Sequence, residues 1–287
     1  MAAFLAVRLQ IMQITYLEMQ GAGNRILVVD QRAQDRSPPG PSQLRQLGKG
    51  SGSPGFDQLM WVAAAHDPKM DASYRVFNND GSEVEQCGNG VRCVVQMLAR
   101  EQAGKTHFVL ESPAGPIQAK LLNDGRVAVN MGPPEFDPAR IPFDTEVQAD
   151  EYQLDVDGAI LTVSILSMGN PHCVVDVDDV GSAEVGRLGP LIENHTRFPA
   201  KTNVGFMRIT DRSNIDLRVH ERGVGETLAC GTGACAAVVA GQRQGRLDER
   251  VNVQLPGGQL VVSWRGGTEP VWLTGNADLI SEGTIDL

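Results

Sequence analysis

Cys87-Gly88-Asn89-Gly90-Val91-Arg92-Cys93 is answered 143 residues later by Cys230-Gly231-Thr232-Gly233-Ala234-Cys235. Each passage reads Cys-Gly-polar-Gly, and each opens a run of small and apolar residues with the pattern of a buried helix. A cysteine at a helix start meets N–H groups with no intrahelical partner and the positive end of the helix dipole. Both favour the thiolate, so the ordinary thiol pKa of about 8.5 is expected to fall. The flanking glycines let backbone N–H groups approach a ligand closely, and the same groups can hold a carboxylate. One such helix start in each half of the chain predicts a site between two half-molecules, with a thiol on either side of a small substrate. That arrangement suits moving a proton from one face of a carbon to the other.

The remaining cysteines read differently. Cys93 and Cys235 fall inside the apolar runs, and Cys173 begins Cys173-Val174-Val175, so all three are expected in the core. Polar groups gather at several other points. Asn78-Asn79-Asp80-Gly81 precedes Cys87, Gly169-Asn170-Pro171-His172 lies between two strand-like runs, and Thr202-Asn203-Val204-Gly205 and Glu221-Arg222-Gly223 precede Cys230. Taken singly, each is an ordinary turn or cap. Together they supply the amide, imidazole, carboxylate and guanidinium groups needed to hold a zwitterion. Arg222 is suited to a bidentate grip on a carboxylate, and His172 and Glu221 to setting the protonation of the two cysteines.

The elements that must position these groups recur along the chain. Strand character marks Gln13–Met19, Ile26–Asp30, Leu59–Ala65, Tyr74–Phe77, His107–Glu111, Ile117–Leu122 and Arg126–Asn130, with a helix at Gly88–Gln102 among them. A Pro- and Asp-bearing stretch follows Gly132-Pro133-Pro134, and the pattern then returns. Strands are expected at Ala159–Ser167, His172–Val177, Val204–Thr210, Asn214–Val219, Arg250–Leu255, Gln259–Trp264 and Pro270–Thr274, around a helix at Gly231–Gln242. Shorter helices are expected at Ser42–Leu47, within the Pro/Gly/Ser-rich stretch 31–57, and at Ser182–Leu188 on the surface. The expected fold is α+β, with two pseudo-symmetric halves, each a curled, mostly antiparallel sheet around a central helix, and the active site in the cleft between them. The halves are expected at residues 1–131, carrying Cys87, and 132–275, carrying Cys230, with the C-terminal strand 276–287 packed on the first.

Bulk properties narrow the function. Acidic residues outnumber basic ones 35 to 25, a formal charge of -10, which disfavours a partner with a phosphate backbone, so no nucleic acid is expected. No apolar run approaches the ~20 residues that span a bilayer, so no membrane association is expected. Residues 1–13 are mildly apolar but interrupted by Arg8, unlike a signal peptide, and Met12 is a plausible alternative start. Five cysteines at irregular spacing, without Cys-x-x-Cys or a zinc-type set, predict reduced thiols in the cytoplasm and no metal. Gly48-Lys49-Gly50-Ser51 lacks the spacing of a phosphate loop. No motif for pyridoxal phosphate is visible, and no cofactor is expected.

From about Met12 onward the chain resembles the diaminopimelate epimerases, cofactor-independent enzymes of bacterial lysine and cell-wall biosynthesis. The resemblance is carried by Gly21-Ala22-Gly23-Asn24, Gly55-Phe56-Asp57-Gln58, Phe77-Asn78-Asn79-Asp80-Gly81-Ser82, Gln86-Cys87-Gly88-Asn89-Gly90, Met168-Gly169-Asn170-Pro171-His172, Thr202-Asn203-Val204-Gly205-Phe206 and Glu221 to Cys235. It implies Cys87 and Cys230 as the acid/base pair. It implies substrate contacts at Asn24, Gln58, Asn78, Gly88, Asn89, Asn170, Asn203, Glu221, Arg222, Gly231 and Thr232, and a thiol-tuning role for His172 and Glu221. The implied reaction is epimerisation between L,L- and meso-diaminopimelate, and the usual assembly is a homodimer. Three features depart from the family pattern: Gln20 and Arg25 flank the first motif, the loop at 31–55 is lengthened and rich in Pro and Gly, and Trp272 stands where a dimer-contact tyrosine is common. A proline-racemase-like isomerase shares the two-thiol logic. A thiol redox or binding protein is the alternative of a different class.

Overall fold

The two apolar runs behind the Cys-Gly pairs form helices that are buried almost all round, and the sheets are built about them. The computed structural model describes residues 13–34, 36–50, 53–84 and 87–286; the expectations for residues 1–12, including a start at Met12, and for Gln86 lie outside them.

In the N-terminal half, β1 (Gln13–Gly21) turns back into β2 (Asn24–Asp30). β2 runs parallel to β3 (Gln58–Ala63), across a connection that holds α1 (Pro41–Gly48). β3 pairs antiparallel with β4 (Ala72–Asn78), and β4 with the short β5 (Glu83–Val84). Helix α2 (Gly88–Glu101) leads to β6 (His107–Ser112), which returns parallel to β4. An antiparallel run β6, β7 (Gly115–Leu121), β8 (Val127–Asn130) completes the half.

The C-terminal half repeats this scheme pairing by pairing. β9 (Tyr152–Val156) pairs antiparallel with β10 (Ala159–Ser167), and β10 with β11 (Pro171–Asp176). β11 runs parallel to β12 (Asn203–Asp211) across the connection that holds α3 (Val185–Glu193). β12, β13 (Asn214–Glu221) and β14 (Gly225–Thr227) are antiparallel, and α4 (Gly231–Arg243) follows. β15 (Arg250–Leu255) is parallel to β13, and β15, β16 (Gly258–Ser263) and β17 (Trp272–Gly275) form the closing antiparallel run. β18 (Asp278–Asp286) pairs with β1 as β9 pairs with β10. β8 and β17 pair antiparallel and join the halves. The α+β architecture of two related, mostly antiparallel halves is the one expected.

One continuous core wraps both helices. Val91, Val94, Val95 and Leu98 of α2 and Ala234 to Val239 of α4 share it, with Cys93 and Cys235 among them. A helix apolar on every side finds no water-facing orientation and becomes the centre of its sheet. Satellite cores sit under α1 (Leu44, Leu47, Trp61, Phe77) and under α3 (Val185, Ile192, Phe198, Phe206). Among the described residues no helix is long and apolar enough to cross a membrane.

Two local expectations are corrected. The helix expected at Ser182–Leu188 lies at Val185–Glu193, because Asp179 accepts from the N–H groups of Gly181 and Ser182 and ties that segment into a turn. It also buries Gly189, Ile192 and Glu193 rather than lying on the surface. The strands β5, β9 and β14 were not read from sequence. β9 alternates cleanly between buried and exposed residues but sits beside the Pro/Asp-rich stretch that masks it.

Candidate active site

Cys87 and Cys230 are the N-cap residues of α2 and α4, both with extended backbone, φ -143° and -123°. Their carbonyls accept from Val91 and Ala234 at 2.9 Å, the first turn of each helix. The Cys87 sulfur also accepts from the Gly90 N–H at 3.4 Å. The earliest N–H groups of each helix have no carbonyl of their own helix to bond, which is what a ligand anion can use. The helix starts meet at a single methyl group. A side chain at Gly88 would come within 3.2 Å of Leu273 Cδ2, and one at Gly231 within 2.9 Å of the same atom. Glycine at both positions lets the two starts close on β17 without displacing Leu273.

Neutral amides surround Cys87. Its thiol donates to Gln58 Oε1 at 2.6 Å. Gln58 Nε2 donates to Asn78 Oδ1 at 3.2 Å, and Asn78 Nδ2 to Ser82 Oγ at 3.1 Å. Gln58 and Asn78 are cross-strand neighbours, which fixes this chain by register. An amide turned over presents N–H in place of oxygen, so the same residues can serve a thiol or a thiolate.

A carboxylate faces Cys230. Glu221 ends β13, accepts from Thr227 Oγ1 at 2.5 Å and lies against the Cys230 thiol. Thr232 Oγ1 is 3.5 Å from the Cys230 sulfur, Asn170 Nδ2 donates to that oxygen at 3.5 Å, and His172 Nε2 meets Asn170 Oδ1 at 3.0 Å. His172 thus reaches Cys230 through Asn170 and Thr232. Burial, then the Arg222 charge, lowers its pKa to about 3. Its imidazole is neutral, with Nε2–H donating to Asn170.

The sequence led us to expect lowered thiol pKa values, and this is corrected. Burial raises Cys87, although the Gly90 N–H and the Arg92 charge pull it back. Burial and then the Glu221 charge push Cys230 well above the ordinary thiol value. Desolvation of a thiolate outweighs the helix start when the sulfur is enclosed. Burial likewise raises Glu221.

The other expected residues sit in turns and at strand ends of both halves. Asn24 and Asn170 hold equivalent places: each follows a left-handed glycine, Gly23 (φ 84°) and Gly169 (φ 88°), in the hairpin turn opening β2 or β11. The Gly23 turn packs on Gly257 of the other half, whose N–H donates to Leu228 O. Asn203 is buried; it donates to Pro171 O at 2.9 Å and accepts from the Arg222 N–H at 3.0 Å. Glu193, buried with His220, accepts from the Gly223 N–H at 3.1 Å. The backbone on either side of Arg222 is therefore pinned, while its exposed side chain donates to Ala200 O. Asn89 accepts from Arg92. Sequence reasoning passed over Thr227, Glu193, Leu273 and Arg92. Arg92 carried a signal, a lone charge in the apolar run Val91 to Val95.

Two related halves, each a sheet wrapped around a helix capped by a cysteine, define a fold shared with solved structures. A solved hydroxyproline epimerase from Agrobacterium vitis superposes with a TM-score of 0.68 at 18% identity, covering 96% of this chain and 93% of that one. Sequence is more specific: the family model described as diaminopimelate epimerase matches residues 16–136 and 164–280, and the chain belongs to that family. It is similar to the diaminopimelate epimerases of Alkalilimnicola ehrlichii, 47% identical over 279 residues, and Thioalkalivibrio sulfidiphilus, 50% over 281, with 96% of this chain and 100% of each relative covered.

Proposed function

We propose that this chain interconverts L,L- and meso-diaminopimelate, with one of Cys87 and Cys230 removing the α-proton and the other delivering a proton to the opposite face. The carrying observation is the meeting of both cysteine-capped helix starts on Leu273. A planar α-carbon seated between them has one sulfur on each face. One cysteine, as thiolate, takes the α-hydrogen, and the other, as thiol, delivers a hydrogen to the opposite face; the roles exchange in the reverse direction. The free N–H groups of Gly88–Asn89 and Gly231–Thr232 hold the reacting carboxylate as charge develops on it, worth roughly 3–4 kcal/mol per well-aimed donor. Glu221, and His172 through Asn170 and Thr232, set the protonation of Cys230.

Arg222 pairs with the distal carboxylate, and Asn24, Asn78, Asn170 and Asn203 satisfy the remaining polar groups of that end. Residues 1–131 and 132–275 form the two jaws, with 276–287 joined to the first; the β1–β18 pairing supports that division. The product serves lysine and cell-wall precursor synthesis, and the protein is assigned to the cytoplasm as a homodimer.

The test is incubation with L,L-diaminopimelate in deuterated water. α-Deuteration with formation of the meso isomer is expected. Exchange on proline instead transfers the assignment to a proline-racemase-like activity, and exchange on neither favours thiol redox chemistry.

A further inference from the structure

Arg92 is fully buried in helix α2, three residues beyond Asn89. Its guanidinium lies in a slot made by two glycines: a side chain at Gly21 would come within 3.3 Å of Nη2, and one at Gly275 within 3.1 Å of Cζ. Nη2 donates to Asn89 Oδ1 at 2.7 Å, and Nε donates to Asn276 O at 3.1 Å. Nη1 is buried without a hydrogen bond to any described residue. Among the described residues Arg92 is in no ion pair; its hydrogen-bond partners are an amide oxygen and a backbone carbonyl. A buried arginine stays charged, and an unpaired buried charge is strongly disfavoured. The groups within electrostatic range are thiols: Cys93, Cys87 and Cys235.

We propose that Arg92 is a positioning residue of the Cys87 half of the site: its fork clamps the Asn89 side chain at the substrate-facing helix start, and its buried charge supports Cys87 when that thiol gives up its proton. This rests on the two-cysteine reading above. Cys93, although adjacent, is held to about 12 by burial and stays a thiol, so it is no counter-ion. Opposing charges reach the pair from elsewhere. Glu221 acts on Cys87 and Asp278 on Cys93, while Tyr74, which approaches Cys87 from β4, is kept a neutral phenol by burial. Arg92 is the cation set against them. The Cys230 side has Glu221 instead, so Cys87 gives up its proton more readily than Cys230. Gln58, turned over, donates N–H to the Cys87 thiolate.

The experiment follows alkylation of Cys87 and Cys230 by iodoacetamide against pH, each read from its own peptide by mass spectrometry, beside kcat and KM for epimerisation. In the wild type the Cys87 midpoint is expected below that of Cys230. Arg92→Met should raise the Cys87 midpoint by about one pH unit and lower kcat near neutrality by about tenfold. Arg92→Lys keeps the charge but not the fork, so the midpoint should stay and KM should rise several-fold. Asn89→Ala should raise KM with the midpoint unmoved. A wild-type Cys87 midpoint at or above that of Cys230 overturns the proposal, and this reading survives even if Arg92→Met does not fold. So does a folded Arg92→Met with an unmoved midpoint, an Arg92→Lys that shifts as far as Arg92→Met, or an Asn89→Ala with unchanged KM. Alkylation needs no substrate, so failure here is separate from failure of the wild type to epimerise diaminopimelate.

Discussion

Asn78 and Glu221 occupy the same place in the two halves, an amide ending β4 and a carboxylate ending β13. The repeated frame thus presents two similar thiols to different chemistry: an amide chain beside Cys87 and an anion beside Cys230. A racemising site needs one proton held and one proton missing, and this difference biases which sulfur holds it.

Replacement of Glu221 by Gln should expose that bias. Removing the carboxylate removes a charge that opposes the Cys230 thiolate, so the Cys230 pKa should fall. Alkylation of Cys230 should move to lower pH, with a smaller move at Cys87, and turnover should fall by about a hundredfold. An unchanged Cys230 profile would remove Glu221 from the thiol's control.

The cysteines themselves divide by position. Cys87→Ala and Cys230→Ala should each lower turnover by roughly a thousandfold or more in a folded protein, since each removes the proton carrier of one face. Cys93→Ala and Cys235→Ala should retain turnover and lose about 1–3 kcal/mol of stability in denaturant melts, as small core truncations do. An inactive, folded Cys93→Ala would contradict the assignment.

Gly231→Ala places a carbon 2.9 Å from Leu273 Cδ2, too close for either to stay in place. Activity should fall about tenfold or more as the helix start shifts from the substrate. Gly88→Ala meets Leu273 at 3.2 Å and the flexible Met131 sulfur at 3.3 Å and should be milder. Adding Leu273→Val to Gly231→Ala should restore part of the loss; no recovery in kcat/KM would mean the contact is not the cause.

His172 should give the protein an acid-sensitive stability. Burial and Arg222 hold it at about 3, against an ordinary 6.5. Between those values the unfolded chain binds a proton that the folded chain refuses. This contribution is fully present above 6.5 and is lost as pH falls, by up to about 1.4 kcal/mol per pH unit. Urea melts of wild type and His172→Gln, compared on either side of 6.5, should show the steeper acid loss in the wild type. Parallel pH dependence would place the imidazole in a more polar setting than its burial implies.

Arg222→Met should lose most catalytic efficiency, because a substrate unanchored at its far end also misaligns the thiols. The wild type should scarcely racemise L-lysine or L-proline, whose missing end leaves the buried Asn203 and its neighbours without their partners. Side-by-side racemisation of lysine, proline and L,L-diaminopimelate decides it, and comparable rates on all three would detach Arg222 from selection.

Local chemistry carried far in this sequence. The repeated Cys-Gly-polar-Gly marked two helix starts, the apolar runs behind them marked central helices, and alternating residues marked most strands, because caps and periodicity are properties of neighbouring residues. The polar clusters at Asn78, Asn170, Asn203 and Glu221 were legible for the same reason, as residues out of place at strand ends. Three things were not legible: that Gly88 and Gly231 meet on Leu273, that Arg92 is enclosed between Gly21 and Gly275, and that Glu193 pins the Arg222 loop. Each joins segments distant in the chain, and no local pattern encodes such a contact. The direction of the thiol pKa shifts was misread for a related reason. A helix start can be seen in a sequence, but desolvation exists only once the β8–β17 pairing and both halves have closed around the sulfurs. The sequence determined where the two cysteine-capped helices begin; the tertiary structure decided the protonation of their thiols, because burial is made by the whole chain.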